Sequence, residues 1–201
     1  MQILSDVAQK SGRHIAKEAW WKEHDIEVIT MPLPVGDYVL VNDKITDVIN
    51  RKSKRGIDVK KMDFLGTYNV VVDTKQDMNE IEGNIIGKAH ARFRDECILA
   101  QNNNIKLYVL IENMDGINSI QDVFRYTSPR RLKWFKFKKL HEQGKALRAV
   151  IPDKPPVSGE QLAKAMLTMQ YKYGVEFRFC RPKEAGAEVI RLLTEERGES
   201  K

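Results

Sequence analysis

The chain has 201 residues, 34 Lys and Arg against 28 Asp and Glu for a formal net charge of +6, 42% hydrophobic residues and two cysteines. Length and apolar content suffice for one packed core, which excludes a disordered tail and a mini-protein held by staples. The longest apolar runs, such as Leu107 to Ile111, fall far short of a membrane span, and MQILSDVAQK lacks a basic region followed by an apolar segment, so the expectation is a cytoplasmic protein with no membrane contact.

Apolar periodicity predicts a strand at Gln2–Asp6, a helix over Gly12–His24 with Ile15, Ala16, Ala19 and Trp20 inward, and a strand at Ile26–Thr30. Pro32 and Pro34 bracket a turn. Gly36-Asp37 leads into a strand at Tyr38–Val41, which is predicted to pair with Ile45–Asn50 as a hairpin across Asn42-Asp43. Tyr68–Val72, ending in Asp73, reads as a buried strand, Met78–Ile86 as a polar helix and Ala89–Gln101 as a helix with Ala89, Phe93, Cys97 and Ala100 on one face. The β-branched run Ile105–Ile111 reads as a central strand. Ser128-Pro129 and Ser158-Gly159-Glu160-Gln161 both have helix-start chemistry, Glu176–Cys180 alternates as a strand, and Pro182 opens a last helix. Cys97 and Cys180 have no zinc or disulfide spacing and read as reduced core residues. Strands alternating with helices imply an α/β layered fold, a central mixed sheet flanked by helices.

The positive charge is clustered. Nine Lys or Arg lie between Arg125 and Arg148 against Glu142 alone: Arg125, Arg130, Arg131, Lys133, Lys136, Lys138, Lys139, Lys145 and Arg148. A second cluster, Arg51, Lys52, Lys54, Arg55, Lys60 and Lys61, is interrupted by Gly56 and Asp58 and reads as a loop or arm. Clustered cations repel one another, and a polyanion relieves that repulsion through phosphate contacts and counterion release, so nucleic acid is the indicated partner. Trp134, Phe135 and Phe137 lie within the first cluster; Leu132, Phe135 and Leu140 have the spacing to share a core face instead.

Three carboxylates stand where strands end or turn: Asp6 closing ILSD, Asp37 in LPVGDY and Asp73 in NVVVDTK. Alternation puts Asp73 and Lys75 on one face of their strand, so acid and amine project together. Two carboxylates and a phosphate oxygen suit Mg2+, which prefers hard oxygen ligands and retains waters, while a neighbouring lysine orients water or offsets charge on a pentavalent phosphate. Taken singly, Gly-Asp is a turn and Asp-x-Lys a surface ion pair.

As a set, LPVGDYVL, VVVDTKQ, ARFRDEC and LYVLIE resemble the nuclease domain of the XPF and Hef endonucleases, a branch of the PD-(D/E)XK superfamily. The ending GEQLAKAM…YGVEFRFC is similar to compact single-domain members found in bacteriophages and their hosts. The resemblance implies a restriction-endonuclease-like core over residues 1–196, with a basic hairpin or arm inserted at about 39–68 and a frayed tail at 197–201. It also implies Mg2+, with Mn2+ able to substitute. The implied partner is double-stranded or branched DNA, and a homodimer follows by analogy.

Carried over by position, Gly36-Asp37 matches the family's Gly-Asp, with Asp37 as metal ligand, and Asp6 matches the acid closing the first strand. Asp73-Thr74-Lys75 stands where the family has Glu-Arg-Lys. A rival placement, Asn50-Arg51-Lys52, is disfavoured because the helix pair Arg92 and Glu96 begins 17 residues after Lys75 but 40 after Lys52. The resemblance thus implies Asp37, Asp73, Lys75 and Asp6 as catalytic residues, the three aspartates holding metal. Arg92 matches a helix arginine that contacts phosphate, with an i,i+4 pair to Glu96 as the alternative. Arg51, Lys52, Lys54 and Arg55 in the arm, and Arg130, Arg131, Lys133, Lys136, Lys138 and Lys139 in the helix, would hold DNA. Glu112, ending LYVLIE, is placed beside the cleft as a ligand or as a support behind one. Tyr38 is placed either on a sugar or base or in the core.

The chain departs from the pattern at Ala8-Gln9, where the family often has Arg-Glu, and at Asn79, where it has an acid; Asp77 or Glu80 are the substitutes at hand. Two readings follow: a Mg2+-dependent DNA endonuclease, selective for branched or flap structures and working in repair or recombination, or a catalytically inactive nucleic-acid-binding module on the same fold.

Overall fold

The computed structural model of the protein describes residues 1–9, 15–145 and 151–195. The predicted first turn at residues 12–14, the cation Arg148 and the tail 197–201 lie outside the described residues.

The strands are β1 (Gln2–Asp6), β2 (Glu27–Met31), β3 (Tyr38–Leu40), β4 (Val70–Lys75), β5 (Lys106–Glu112) and β6 (Glu176–Cys180). They form one mixed sheet in the order β2-β1-β3-β4-β5-β6. Neighbours are parallel except β3, which runs against both β1 and β4. The helices are α1 (Ile15–Glu23), α2 (Asp43–Lys54), α3 (Met78–Ile85), α4 (His90–Asn102), α5 (Ile120–Val123), α6 (Pro129–Glu142), α7 (Gly159–Tyr173) and α8 (Ala185–Glu195). One face of the sheet packs on α2, α3, α4, α5 and α7, the other on α1 and α8. This is the expected α/β architecture. Among the described residues, α6 contributes no side chain to either core cluster, and no helix is long and apolar enough to cross a membrane.

Strand alternation distributes β4 between the two cores. Val71 enters the α4 side and Val70 and Val72 the α8 side, so Asp73 and Lys75 continue the face of Val71. Cys97 and Cys180 are buried and unbridged, as read from the sequence.

The predicted hairpin is a correction. Residues 45–50 belong to helix α2, whose cap is Asn42: its Oδ1 accepts the Ile45 N–H at 3.0 Å. The β-branched residues suggested a strand, but alternation would have carried Asp47 into the core between Ile45 and Ile49. The helix instead buries Ile45 and Val48 and leaves Asp47 in water. The basic arm is accordingly the last turn of α2 and a short 3-10 helix, Lys61–Phe64, tied back by Lys52 to Asp63 at 2.8 Å.

Helix α1 also turns differently from the prediction. Ile15, Ala16 and Ala19 face solvent, Trp20 is half-buried, and Lys17 and Trp21, one turn apart, are buried. Trp21 stands edge-on to Tyr38 with centroids 5.0 Å apart and donates its Nε1–H to Gly186 O at 3.0 Å. Lys17 pairs with Glu112. A carboxylate buried on that face requires a cation beside it, a demand that apolar periodicity does not register.

Candidate active site

Because β3 is reversed, its N-terminal end shares one edge of the sheet with the C-terminal ends of β1 and β4. Asp37, immediately before β3, therefore falls between Asp6 and Asp73. Backbone bonds tie these segments together: Asp6 N–H donates to Asp37 O at 2.8 Å, and Asp37 N–H to Val72 O at 2.9 Å. A cleft of about 590 Å3 opens at this edge, with Asp6, Asp37, Asp73 and Lys75 in its walls and Arg92 and Glu96 facing them from α4.

Gly36 is needed at the turn into this edge. Its φ is +66°, and a Cβ there would come within 2.3 Å of Val71 Cγ2. Its N–H donates to Glu96 Oε1 at 2.8 Å, so α4 holds the peptide that precedes Asp37. Asp37 Oδ2 accepts two bonds from Thr74, from its N–H and its hydroxyl, both 2.8 Å. Asp6 accepts the N–H of Leu33 at 2.8 Å on one oxygen and that of Ala8 at 3.3 Å on the other, which anchors the loops that close the floor.

Asp73 and Lys75 meet as the alternation predicts. Nζ lies 2.7 Å from Oδ1 in hydrogen-bond geometry and 2.6 Å from Oδ2 without it, leaving Oδ2 buried with no hydrogen-bond partner. Burial pushes Asp73 up to about 7, against the pull of Lys75 and with the Asp37 charge adding to the rise. Burial likewise raises Asp37, opposed by Lys75 and the Thr74 bonds. Desolvation alone would lower Lys75, but the Asp73 and Asp37 charges outweigh it and hold the amine above its ordinary value, as an ammonium. Its Nζ also lies 5.4 Å from the centroid of the Phe93 ring.

Among the described residues, no group of three or more His, Cys, Asp or Glu side chains is arranged to hold a metal ion. The oxygens of Asp37 and Asp73, one of them an orphaned buried atom, nevertheless fit a hard divalent cation that completes its shell with water and phosphate. Two buried carboxylates against one ammonium leave an excess of negative charge, which such a cation would neutralise.

Other sequence-read residues sort by position. Arg92 is exposed in the cleft wall, and Gln9, Lys61 and Glu80 line it. Asp77 is the N-cap of α3 and faces water. The exposed surface pair imagined for Arg92 and Glu96 is corrected: Glu96 turns inward onto Gly36, where burial and Asp73 raise it while Gly36, Lys75 and Arg92 oppose the rise. Glu112 is also a correction. Residue 111 is in register with Lys75, so Glu112 falls on the opposite face of the sheet, paired with Lys17 and away from the cleft. Tyr38 packs in the core on Trp21, the second of the two placements its sequence position allowed. The role of Glu96 was missed; its signal was the i,i+3 spacing from the core residue Phe93 and the i,i+4 spacing from Arg92.

The basic residues are mostly on the surface. Lys54 and Arg55 are exposed at the end of α2, Arg51 pairs with Asp47 at 3.2 Å, and Lys52 is committed to Asp63. On α6, Arg130, Lys133, Lys136, Lys138 and Lys139 are exposed, and half-buried Arg131 binds Pro156 O. Leu132 and Phe135 do not form the core face their spacing allowed, since they are 59% and 47% exposed; only Trp134 is buried.

No curated protein matches the sequence. Two solved structures have a similar fold: XPF from Aeropyrum pernix, 14% identical with TM-score 0.51, covering 99% of this chain and 66% of that one, and the same protein in complex with DNA, 13% identical with TM-score 0.52, covering 98% and 65%. The chain thus spans a little under two thirds of the length of those structures, and the likeness is that of a restriction-endonuclease-like α/β fold. The family model described as the ERCC4 domain matches residues 7–193, nearly the whole sequence, so the chain belongs to the ERCC4 domain family, of the XPF type.

Proposed function

We propose that this chain is a divalent-metal-dependent DNA endonuclease that hydrolyses phosphodiester bonds, with Mg2+ as its ion and Mn2+ able to replace it. The observation that carries the reading is the Lys75 ammonium seated on Asp73, beside Asp37, in an open cleft of a chain of the ERCC4 family. Family membership supports a DNA nuclease, and the similar A. pernix XPF in complex with DNA supports DNA as the polymer.

Asp37 and Asp73 would hold a divalent ion, which would supply Lewis acidity toward a phosphoryl oxygen and an acidified water. The chain's own groups do the rest. Lys75, kept protonated by its two carboxylates, acts as a donor and positive charge toward the attacking water and the phosphate oxygens, not as a base. Thr74 fixes the Asp37 carboxylate, Glu96 fixes the peptide before it, and Asp6 assists from the floor. Arg92 and Lys61, exposed in the cleft wall, contact phosphates beside the cut. The cations of α6 and of the end of α2 grip the backbone without reading sequence. Selectivity for branched or flap DNA, a homodimer, and work in repair or recombination in a bacterial or phage-infected cell rest on the resemblance alone.

Gln9 in the cleft wall and the two-carboxylate ligand set favour a second reading, a binding module without catalysis. Incubation with duplex, flap and four-way DNA, in Mg2+, Mn2+ or EDTA, separates the two. Metal-dependent nicking that is lost in Asp73→Ala and Lys75→Ala while DNA binding survives is the expected result; binding without cleavage under every condition selects the second reading, and unchanged cleavage by Asp73→Ala removes the site.

A further inference from the structure

Helix α6 carries a second cavity. Arg130, Lys133, Trp134 and Phe137 recur at i, i+3, i+4 and i+7, which is one face of a helix, and together with Ile151 and Pro156 of the following segment they line an open hollow of about 400 Å3. The segment is tied onto the helix by two bonds: Trp134 donates its Nε1–H to Pro152 O at 2.8 Å, and the Arg131 guanidinium binds Pro156 O. The lining is therefore two aromatic rings, Ile151 and two prolines, with two exposed cations, Arg130 and Lys133, among them.

Each ring of α6 already has a cation against it. Arg131 lies 5.2 Å from the centroid of Phe135, Lys133 lies 5.6 Å from that of Phe137, and Lys138 lies 5.1 Å from that of Trp134. A helix that rests on a lipid surface segregates rings to one side and cations to the other. Here Leu132 and Phe135 lie on one side and Trp134 and Phe137 on another, with cations interleaved on both, which suits a ligand whose flat apolar units and negative charges alternate. Burial raises Glu82 on α3, and the Arg130 charge opposes that rise, so Arg130 acts electrostatically on the same helix that presents Glu80 to the cleft.

We propose that this cavity binds an unstacked nucleobase of a nucleic-acid strand, the base lying against Phe137 and Trp134 and its flanking phosphates against Arg130 and Lys133. The inference rests on the nucleic-acid part of the function proposed above and is independent of cleavage. It adds a base-binding site to a helix otherwise read as gripping phosphates.

Binding of the full chain in EDTA to three fluorescein-labelled DNAs of equal length tests it: an ordinary single strand, the same strand with abasic sites, and a duplex. The abasic strand keeps the charge and removes the rings, and it is expected to bind about tenfold more weakly than the ordinary strand. Phe137→Ala should close that gap and Phe137→Tyr, which retains a ring, should keep it; Phe137 is partly exposed, and a thermal melt of each variant establishes that it is folded. Equal affinity for ordinary and abasic strands, or a gap that persists in folded Phe137→Ala, overturns the base site. Failure to bind any of the three DNAs overturns the nucleic-acid reading itself, a distinct result from duplex binding without base dependence.

Discussion

The cleft and helix α6 both concentrate charge, in opposite ways. In the cleft a few charges of both signs are buried or half-buried, each held by named bonds: half-buried Asp37 by Thr74 and Glu96 by Gly36, and buried Asp73 by Lys75. On α6 the charges are numerous, positive but for Glu142 and mostly exposed, and Arg131, Lys133 and Lys138 sit on rings instead of on carboxylates. Burial makes the first set strong, specific and barely sensitive to salt, while exposure makes the second set individually weak and collectively adhesive. In the proposed function one region acts at a single phosphate and the other holds many.

The contrast is broken most severely at Lys75. Lys75→Ala leaves two buried carboxylates without their cation and should cost on the order of 3–5 kcal/mol in urea unfolding, together with about 10²–10³-fold in cleavage rate. Gly36→Ala comes next. It puts a side chain at positive φ and into Val71, so a loss of about 1–3 kcal/mol and a misplaced Asp37 are expected, read by the melting temperature and by cleavage at saturating DNA.

A pH series sharpens the difference between the regions. A carboxyl whose folded value is raised, as for Asp73 at about 7, binds more protons in the folded than in the unfolded chain between its ordinary value and that value. Stability in EDTA should therefore fall as pH rises from about 4 to about 7 and then level off. Asp73→Asn should flatten the fall and gain about 0.5–2 kcal/mol at pH 8. Added Mg2+ should raise the melting temperature of the parent chain at pH 8 and have no such effect on Asp73→Asn.

Reversing Lys136, Lys138 and Lys139 to Glu should weaken DNA binding and lessen its log-log salt slope by about 2–3, with the melting temperature nearly unchanged because these side chains are exposed. An unaltered slope would exclude α6 from the DNA surface. The smallest effect belongs to Arg51→Ala, whose exposed i,i+4 pair with Asp47 contributes at most about 0.5 kcal/mol to stability.

Much of this molecule is legible without coordinates where local chemistry and global packing agree. β1 and β6 begin and end where their alternation says, and α6 and α7 start at their serine caps. Reading failed where one demand overrode another. Ile45 and Val48 have strand-forming side chains at helical spacing, and the spacing won because the alternative buried Asp47. The apolar stripe of α1 lost to a lysine that had to meet Glu112. Glu112 itself was read into the wrong compartment, since a residue at a strand end faces one side or the other according to a register that only the neighbouring strand supplies.

Sequence alone determined the periods of β1, β6, α6 and α7, the pairing of Asp73 with Lys75 on one face, and the clustering of cations on α6, because each follows from residues close together along the chain. Tertiary structure decided what depends on strand order and direction. The reversal of β3 brings Asp37 to the edge occupied by Asp6 and Asp73, and Glu96 reaches Gly36 across 60 residues of sequence. Burial then turns ordinary aspartates into groups that resist ionisation, because taking charge out of water is costly and depends on everything packed around it.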